Sequence, residues 1–332
     1  MTTDSAREAF PLLKTECQVA FIDDDPDYVE HLELFLPGMV SMKASFHTAT
    51  DTLNLALERS TQAFDQEHKT LLGIARTQAD RESGCPVSEP ILRYFASGTR
   101  FEVIAVVVAD HNMPGETGIE LFSRITRPGL RRILLTGKAD QQTAVDAFNS
   151  GSIDVYVPKQ LDQVWKKVRS EIDAQMALSS DRRGQPLRDT LPSDLMAVLD
   201  VRECAHQVEG LLARERISEY MVVGRPYGIF GVRSDGSPVW VQLETLNSLR
   251  ELTELLGEAG YEDEVLDRVR ERKSLVALEW LTQLDQEVVE REAFVLGTEP
   301  LLVAAVFELA NLRPDLQPAC RALLPSRRAK EV

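Results

Sequence analysis

Residues 103–109, VIAVVVA, form an unbroken apolar run of strand length that ends on Asp110. A strand that is apolar on both faces must be covered on both faces. That is the pattern of a parallel sheet held between layers of helices. Ligands of open α/β sheets collect at the carboxyl ends of the strands, so a carboxylate delivered to that tip marks a site. Three further strand-like runs end on chemically useful groups. VAFI at 19–22 leads into Asp23, Asp24, Asp25 and Pro26; RILL at 132–135 into Thr136 and Gly137; IDVYV at 153–157 into Pro158 and Lys159.

Together these tips offer an acid cluster, a lone aspartate, a hydroxyl and an ammonium. Clustered carboxylates at neighbouring strand tips suit a hard divalent cation. Magnesium takes oxygen ligands, usually one or two carboxylates completed by water and phosphate. The set fits an aspartyl-phosphate site. Asp110 is then the nucleophile toward a phosphoryl group, Asp23 and Asp24 hold Mg²⁺, and Thr136 and Lys159 bind the phosphoryl oxygens. A carboxylate is a competent covalent phosphate acceptor. Metal and ammonium offset the charge that spreads over the equatorial oxygens during transfer.

On these residues, positions 16 to about 177 resemble the receiver domain of bacterial two-component response regulators. The resemblance is carried, in order, by Asp23 and Asp24, Asp110, Asn112, Pro114, Gly118, Thr136, Tyr156 and Lys159. It implies a doubly wound α/β domain, a five-stranded parallel receiver of the flavodoxin-like kind. It also implies Asp110 as phosphoacceptor, and Mg²⁺ held by Asp23, Asp24, Asp110 and the backbone carbonyl of Asn112. Thr136 and Tyr156 would be the switch pair, and a sensor histidine kinase or phosphotransfer protein the phosphoryl donor. The sequence departs from the family in three places. Pro158 precedes Lys159 and Gln160 follows it, where the family usually has Pro after the Lys, a change that would shift the ammonium. Lys138 lies two positions after Thr136 and, if it reaches the phosphate, shields the acyl phosphate from water, so slow self-dephosphorylation is expected. The third departure is an insertion.

The interval between the weak second strand at 43–46 and the Asp110 strand is far longer than a usual α/β connection. Residues 50–82 contain no Pro and one Gly and read as a long helix. Leu53, Leu57, Phe64, Leu71 and Ile74 form a narrow stripe that Ser60 and Glu67 interrupt. Three readings are open: the helix packs on its own domain, the stripe is a coiled-coil-like seam for a partner or second copy, or the insertion is a mobile loop. Ser83, Gly84, Cys85 and Pro86 read as a stop, with a short helix over 90–96 beyond. The insertion spans about 58–98.

Length and chemistry bound the rest. A chain of 332 residues suggests two or three domains. The formal net charge of −16 argues against DNA as a dominant partner. No apolar stretch reaches membrane-spanning length and no signal-peptide pattern opens the chain, so a cytoplasmic location is expected. Cys17, Cys85, Cys204 and Cys320 are too scattered for a metal motif and read as reduced structural thiols.

The expected domains are a receiver at 16–177, a polar linker at 178–192 and an output domain at 193–332. The output domain reads as mainly helical α+β with a β-hairpin. Its strand island covers 220–243 and turns on Asp235 and Gly236. Helices are expected over 194–212, 246–256, 263–284 and 300–312. The cluster Gly224, Arg225, Pro226, Tyr227 and Gly228 reads as a hairpin turn before a phosphate cradle. Trp240 reads as a core residue before a partner anchor. Arg268, Arg270, Arg272 and Lys273 alternate with acids, as on a solvated, salt-bridged face. No nucleotide-loop, helix-turn-helix or metal motif identifies the output.

The sequence therefore points to a response regulator of a two-component phosphorelay. Phosphorylation of Asp110 would switch dimerisation or partner binding of the output domain, with a homodimer and a protein target expected. The chain is expected to be a phosphoacceptor switch and not an enzyme, at most with slow self-dephosphorylation. Two alternatives stay open: a phosphorylation-independent scaffold or adaptor, and a regulator gating a nucleotide-handling output domain.

Overall fold

The computed structural model describes residues 10–35, 43–80, 86–137, 141–299 and 301–319. The chain forms two compact units. One comprises Thr15–Lys69 and Thr99–Arg183; the other comprises Thr70–Gly98, Gly184 onward and the chain up to Lys14.

The first unit is built on five parallel strands: β2 (Gln18–Ile22), β3 (Lys43–His47), β4 (Ile104–Asp110), β5 (Arg131–Thr136) and β6 (Val155–Pro158). Their order across the sheet is β3-β2-β4-β5-β6, the doubly wound flavodoxin-like order, with its switch point between β2 and β4. The helices are α1 (Pro26–Phe35), the first part of α2 (Thr50–Ala79), α4 (Gly118–Arg124), α5 (Gln141–Asn149) and most of α6 (Val164–Arg188). Every residue of β2 and β4 is buried, because alternate side chains enter two separate cores. Val19, Phe21, Val106 and Val108 pack on one face, and Ala20, Ile22, Val107 and Ala109 on the other. This two-sided burial is why the runs are continuously apolar.

The two polar residues that interrupt the α2 stripe are buried and satisfied inside this unit. Ser60 Oγ accepts the Ile104 backbone N–H at 2.7 Å. Glu67 accepts from Arg183 Nε at 2.8 Å in an ion pair with both side chains almost fully buried. Leu53, Leu57 and Phe64 pack into the cores of this unit, while Leu71 and Ile74 belong to the core of the other.

The second unit holds a six-stranded sheet in the order β1-β7-β8-β9-β13-β12. Its strands are β1 (Leu13–Lys14), β7 (Ile217–Gly224), β8 (Tyr227–Arg233), β9 (Pro238–Glu244), β12 (Phe294–Leu296) and β13 (Leu302–Glu308), all paired antiparallel. A separate pair joins β10 (Ser274–Val276) to β11 (Glu290–Glu292). One face carries Met221, Phe230, Trp240 and Phe307 against α3 (Ser88–Ala96), α9 (Leu246–Glu258), α10 (Asp263–Arg270) and α11 (Leu278–Gln283). The other carries Val222, Ile229, Val241 and Leu243 against α7 (Ser193–Leu199) and α8 (Arg202–Arg214). Trp240 is a core residue, stacked on Trp280 with ring centroids 4.0 Å apart.

The α/β receiver and the α+β character of the C-terminal part match the sequence expectation, with corrections in detail. The segment 300–312, expected as a helix, contains strand β13. It is buried between β9 and β12, so both faces are apolar and periodicity cannot separate strand from helix. The expected helix over 263–284 is broken into α10, β10 and α11. Arg272 adopts a left-handed conformation (φ 61°) there without the glycine that usually announces such a stop. The polar segment 178–192, expected as a linker, lies on α6 as far as Arg188, with Pro186 inside the helix. Gly184 reads as a turn residue, yet it sits where a Cβ would come within 3.1 Å of the Leu13 Cβ. Arg225 and Pro226 form the β7–β8 turn, flanked by Gly224 on β7 and Tyr227 and Gly228 on β8. The stop signal at 83–85, Lys138, Cys85 and Cys320 lie outside the described residues. Among the described residues no helix is long and apolar enough to cross a membrane.

Candidate functional site at the carboxyl ends of the parallel strands

Asp23 follows the last residue of β2 and is 2% exposed. Its Oδ1 accepts the Asp25 N–H at 3.1 Å. Asp25 Oδ1 in turn accepts the N–H groups of Asp27 (3.0 Å) and Tyr28 (3.3 Å). Of the three consecutive acids, one turns inward, one starts helix α1, and Asp24 is left exposed at the rim.

Asp110 ends the neighbouring strand β4 and is 7% exposed. Its Oδ2 accepts the Asn112 N–H at 3.2 Å. The loop beyond it folds back at Gly118, whose N–H donates to the His111 carbonyl at 3.0 Å. Only glycine fits there, since a Cβ would lie 2.3 Å from the Asp110 carbonyl oxygen and 2.8 Å from Leu134 Cδ1. Thr117 caps the helix that starts at Gly118, in a reciprocal capping box with Glu120. That explains the Gly118 signal in the sequence: the helix after the Asp110 loop begins in contact with the strand carrying the aspartate.

Carboxylate oxygens of Asp23, Asp24 and Asp110 lie within 4.8 Å of one another. Lys159, next to the end of β6, donates to Asp23 Oδ2 at 2.8 Å and reaches Asp110 Oδ1 at 2.7 Å. The reversed Pro–Lys order at 158–159 therefore still delivers the ammonium to the site. Its backbone N–H donates to the Thr136 carbonyl at 2.9 Å, tying the β6 tip to the β5 tip. Thr136 is fully buried, and its hydroxyl donates to the Gly137 carbonyl at 3.1 Å. Tyr156 is half-buried on β6. Asn112 is exposed beside Asp110.

Burial disfavours the charge on Lys159, but hydrogen bonds to Asp110 and Asp23 outweigh it and raise the pKa above the usual lysine value. Burial pushes the Asp23 carboxyl up, more than the bond to Lys159 pulls it down. Three carboxyl groups gathered beside one ammonium make an acid-rich set of oxygen donors. A hard divalent cation fits this donor set, because it supplies positive charge to oxygen ligands only.

The structure thus brings Asp23, Asp24, Asp110 and Lys159 together and sets Thr136 on the adjoining strand tip. Two neighbours have no sequence motif of their own. The ring of Tyr28, on α1, lies with its centroid 4.3 Å from Lys159 Nζ. His111 is buried next to Asp110, and its Nδ1 has no hydrogen-bond partner among the described residues. The only signal for Tyr28 is its place in the first turn of the helix after the acid cluster.

Residues 92–167 match the family model of the response regulator receiver domain. The matched segment runs from within α3 through β4 to the start of α6, and most of the insertion separates it from the Asp23–Asp24 pair. No curated protein matches the chain. Among solved structures, the response regulator LqsR of Legionella pneumophila is 21% identical, with 94% of each chain covered and a TM-score of 0.66. This likeness is one of fold along nearly the whole length of both chains. A receiver domain protein from Clostridium thermocellum is 17% identical over 52% of this chain and 99% of its own, with a TM-score of 0.31. An adenylate cyclase from Rhodopirellula baltica is 17% identical over 50% of this chain and 90% of its own, with a TM-score of 0.32.

Proposed function

We propose that this chain, which carries a response regulator receiver domain, accepts a phosphoryl group on Asp110 from the phosphohistidine of a sensor kinase or phosphotransfer protein. The observation that carries this reading is the grouping of Asp110, Asp23 and Lys159 at the ends of three parallel strands, with the ammonium bridging both carboxylates. In the transfer, an Asp110 carboxylate oxygen attacks phosphorus as the phosphorus–nitrogen bond breaks and the imidazole leaves. Lys159 swings its charge from the Asp110 carboxylate to the incoming phosphoryl oxygens. Asp23, Asp24, Asp110 and the Asn112 carbonyl would hold Mg²⁺, which when bound offsets phosphoryl charge and orients the group in line.

The consequence for the rest of the chain is a two-state switch. The Thr136 hydroxyl, bound to its neighbouring Gly137 carbonyl in the resting protein, would turn to a phosphoryl oxygen. Tyr156, half-buried on the adjacent strand, would follow it inward. Such a pair biases the face of the domain formed by its last strands and helices. On this reading the protein is a cytoplasmic phosphoacceptor switch and not an enzyme. Phosphorylation would control homodimerisation or the docking of a protein target by the C-terminal unit.

The test is intact mass after incubation with a small acyl-phosphate donor, with and without Mg²⁺, for wild type and Asp110→Ala. One phosphoryl adduct that requires both Mg²⁺ and Asp110 is expected. A folded wild-type protein that takes up no phosphate overturns the reading and makes a phosphorylation-independent scaffold the better one.

A further inference from the structure

Lys159 is a flexible side chain on which the proposed chemistry depends, and three groups hold it. Two are the Asp23 and Asp110 carboxylates. The third is the face of the Tyr28 ring, 4.3 Å from Nζ to the centroid. That ring is itself wedged in place. Trp165, at the start of α6, packs against it with centroids 5.2 Å apart and planes tilted by 50°. The Asp25 carboxylate caps the Tyr28 N–H, which ties the start of α1 to the acid cluster. The phenol hydroxyl is buried and has no hydrogen-bond partner among the described residues. The ring face, and not the hydroxyl, is therefore what Tyr28 contributes at the site.

We propose that Tyr28 is a positioning residue for Lys159, its ring holding the ammonium over the strand tips by a cation–π contact. This inference rests on the reading that Asp110 takes up phosphate. The ionic partners of Lys159 change during a reaction cycle. Phosphorylation turns the Asp110 carboxylate into a mixed anhydride and moves the negative charge from it to the phosphoryl oxygens, and any cation bound among the carboxylates competes for Asp23. The ring is neutral and does not change on phosphorylation, so its attraction for the ammonium persists in both states. A lysine stem has four rotatable carbons and a large rotamer entropy. A fixed aromatic face beside it keeps the ammonium within reach of the phosphoryl oxygens. Trp165 serves the same end at one remove by fixing the ring.

Two measurements on the full chain test this. The first is the NMR position of the Lys159 Hε protons, assigned through Lys159→Arg. A ring-current shift is expected in wild type and in Tyr28→Phe. It is expected to disappear in Tyr28→Leu, which keeps an apolar packing group without a ring, and Tyr28→Met serves if the leucine variant does not fold. The second is the rate of Mg²⁺-dependent phosphoryl uptake from the small donor. Tyr28→Leu is expected to slow it about three- to tenfold, the range a partly buried cation–π contact supports, and Tyr28→Phe to restore it. No ring-current shift in wild type overturns the proposal. So does uptake by Tyr28→Leu at the wild-type rate, because packing alone would then suffice. A wild-type protein that shows the shift but takes up no phosphate refutes the functional reading and the catalytic part of this proposal, and leaves the ring–ammonium contact established. The two failures are thereby told apart.

Discussion

Glu244 provides a quantitative test of the C-terminal unit. It ends β9 and is 4% exposed, with Oε1 accepting from Gln242 Nε2 at 2.7 Å. Burial pushes its carboxyl up to about 7, against the partial relief of hydrogen bonds from Ser248 and Gln242, and the Glu279 and Glu251 carboxylates add to the rise. The unfolded chain would titrate near the ordinary value of 4.5. Because the folded-state pKa is the higher one, the folded protein binds the proton more tightly. The stability that proton brings is fully present below pH 4.5 and is lost as the pH rises through about 7. The interval of about 2.5 pH units corresponds to roughly 3–4 kcal/mol, at about 1.4 kcal/mol per unit. Glu244→Gln mimics the protonated side chain, accepts the same bond from Gln242 and never charges.

The expected gain for Glu244→Gln is about 3–4 kcal/mol at pH 8 and under about 1 kcal/mol at pH 5. Urea unfolding of both proteins at the two pH values measures it. The stacked Trp240 and Trp280 are the probes, in a Trp165→Phe background so that emission reports the C-terminal unit. The difference between variants, taken at each pH, cancels the titration of every other group. An equal effect at both pH values, or a loss of stability at pH 8, would refute the reasoning.

Three other outcomes are expected. Gly118→Ala should destabilise the receiver unit by about 1–3 kcal/mol, since the new methyl collides with the Asp110 carbonyl and Leu134; a thermal melt checks this, and an unchanged midpoint would mean the loop yields freely. Removing one member of the buried Glu67–Arg183 pair, by Glu67→Gln or Arg183→Met, should cost about 3–5 kcal/mol because it strands the other charge. Replacing both with Leu and Met should cost clearly less by the same denaturation assay. The phospho-protein, once formed, should lose its phosphate over minutes or longer if Lys138 shields the acyl phosphate, and a half-life of seconds by intact mass would exclude that role.

The chemical identity of the site is written locally in this chain. Asp23, Asp110, Thr136 and Lys159 each stand at the end of a short strand. A buried parallel strand is apolar throughout, so the first polar group beyond it stands out without knowledge of its neighbours. Gly118 belongs to the same class, since the helix there starts against the strand carrying Asp110. What holds these groups to one another is not local. Lys159 meets Asp23 across 136 residues, and Tyr28 meets Lys159 only because α1 and β6 flank the same strand tips. Ser60 and Glu67 look like flaws in an apolar stripe, and only the packed structure supplies their partners, the Ile104 N–H and Arg183. Strand β13 and the length of α6 are likewise decided by packing. An apolar run buried on both faces has no period to betray its geometry, and Gly184 marks close packing on Leu13 where sequence suggests a turn. The alternation of apolar runs and polar tips sets which side chains do chemistry, because it is dictated by burial one strand at a time. Pairing, charge compensation and the allocation of α2 and α6 between units depend on which distant segments meet, and that was decided only by the folded structure.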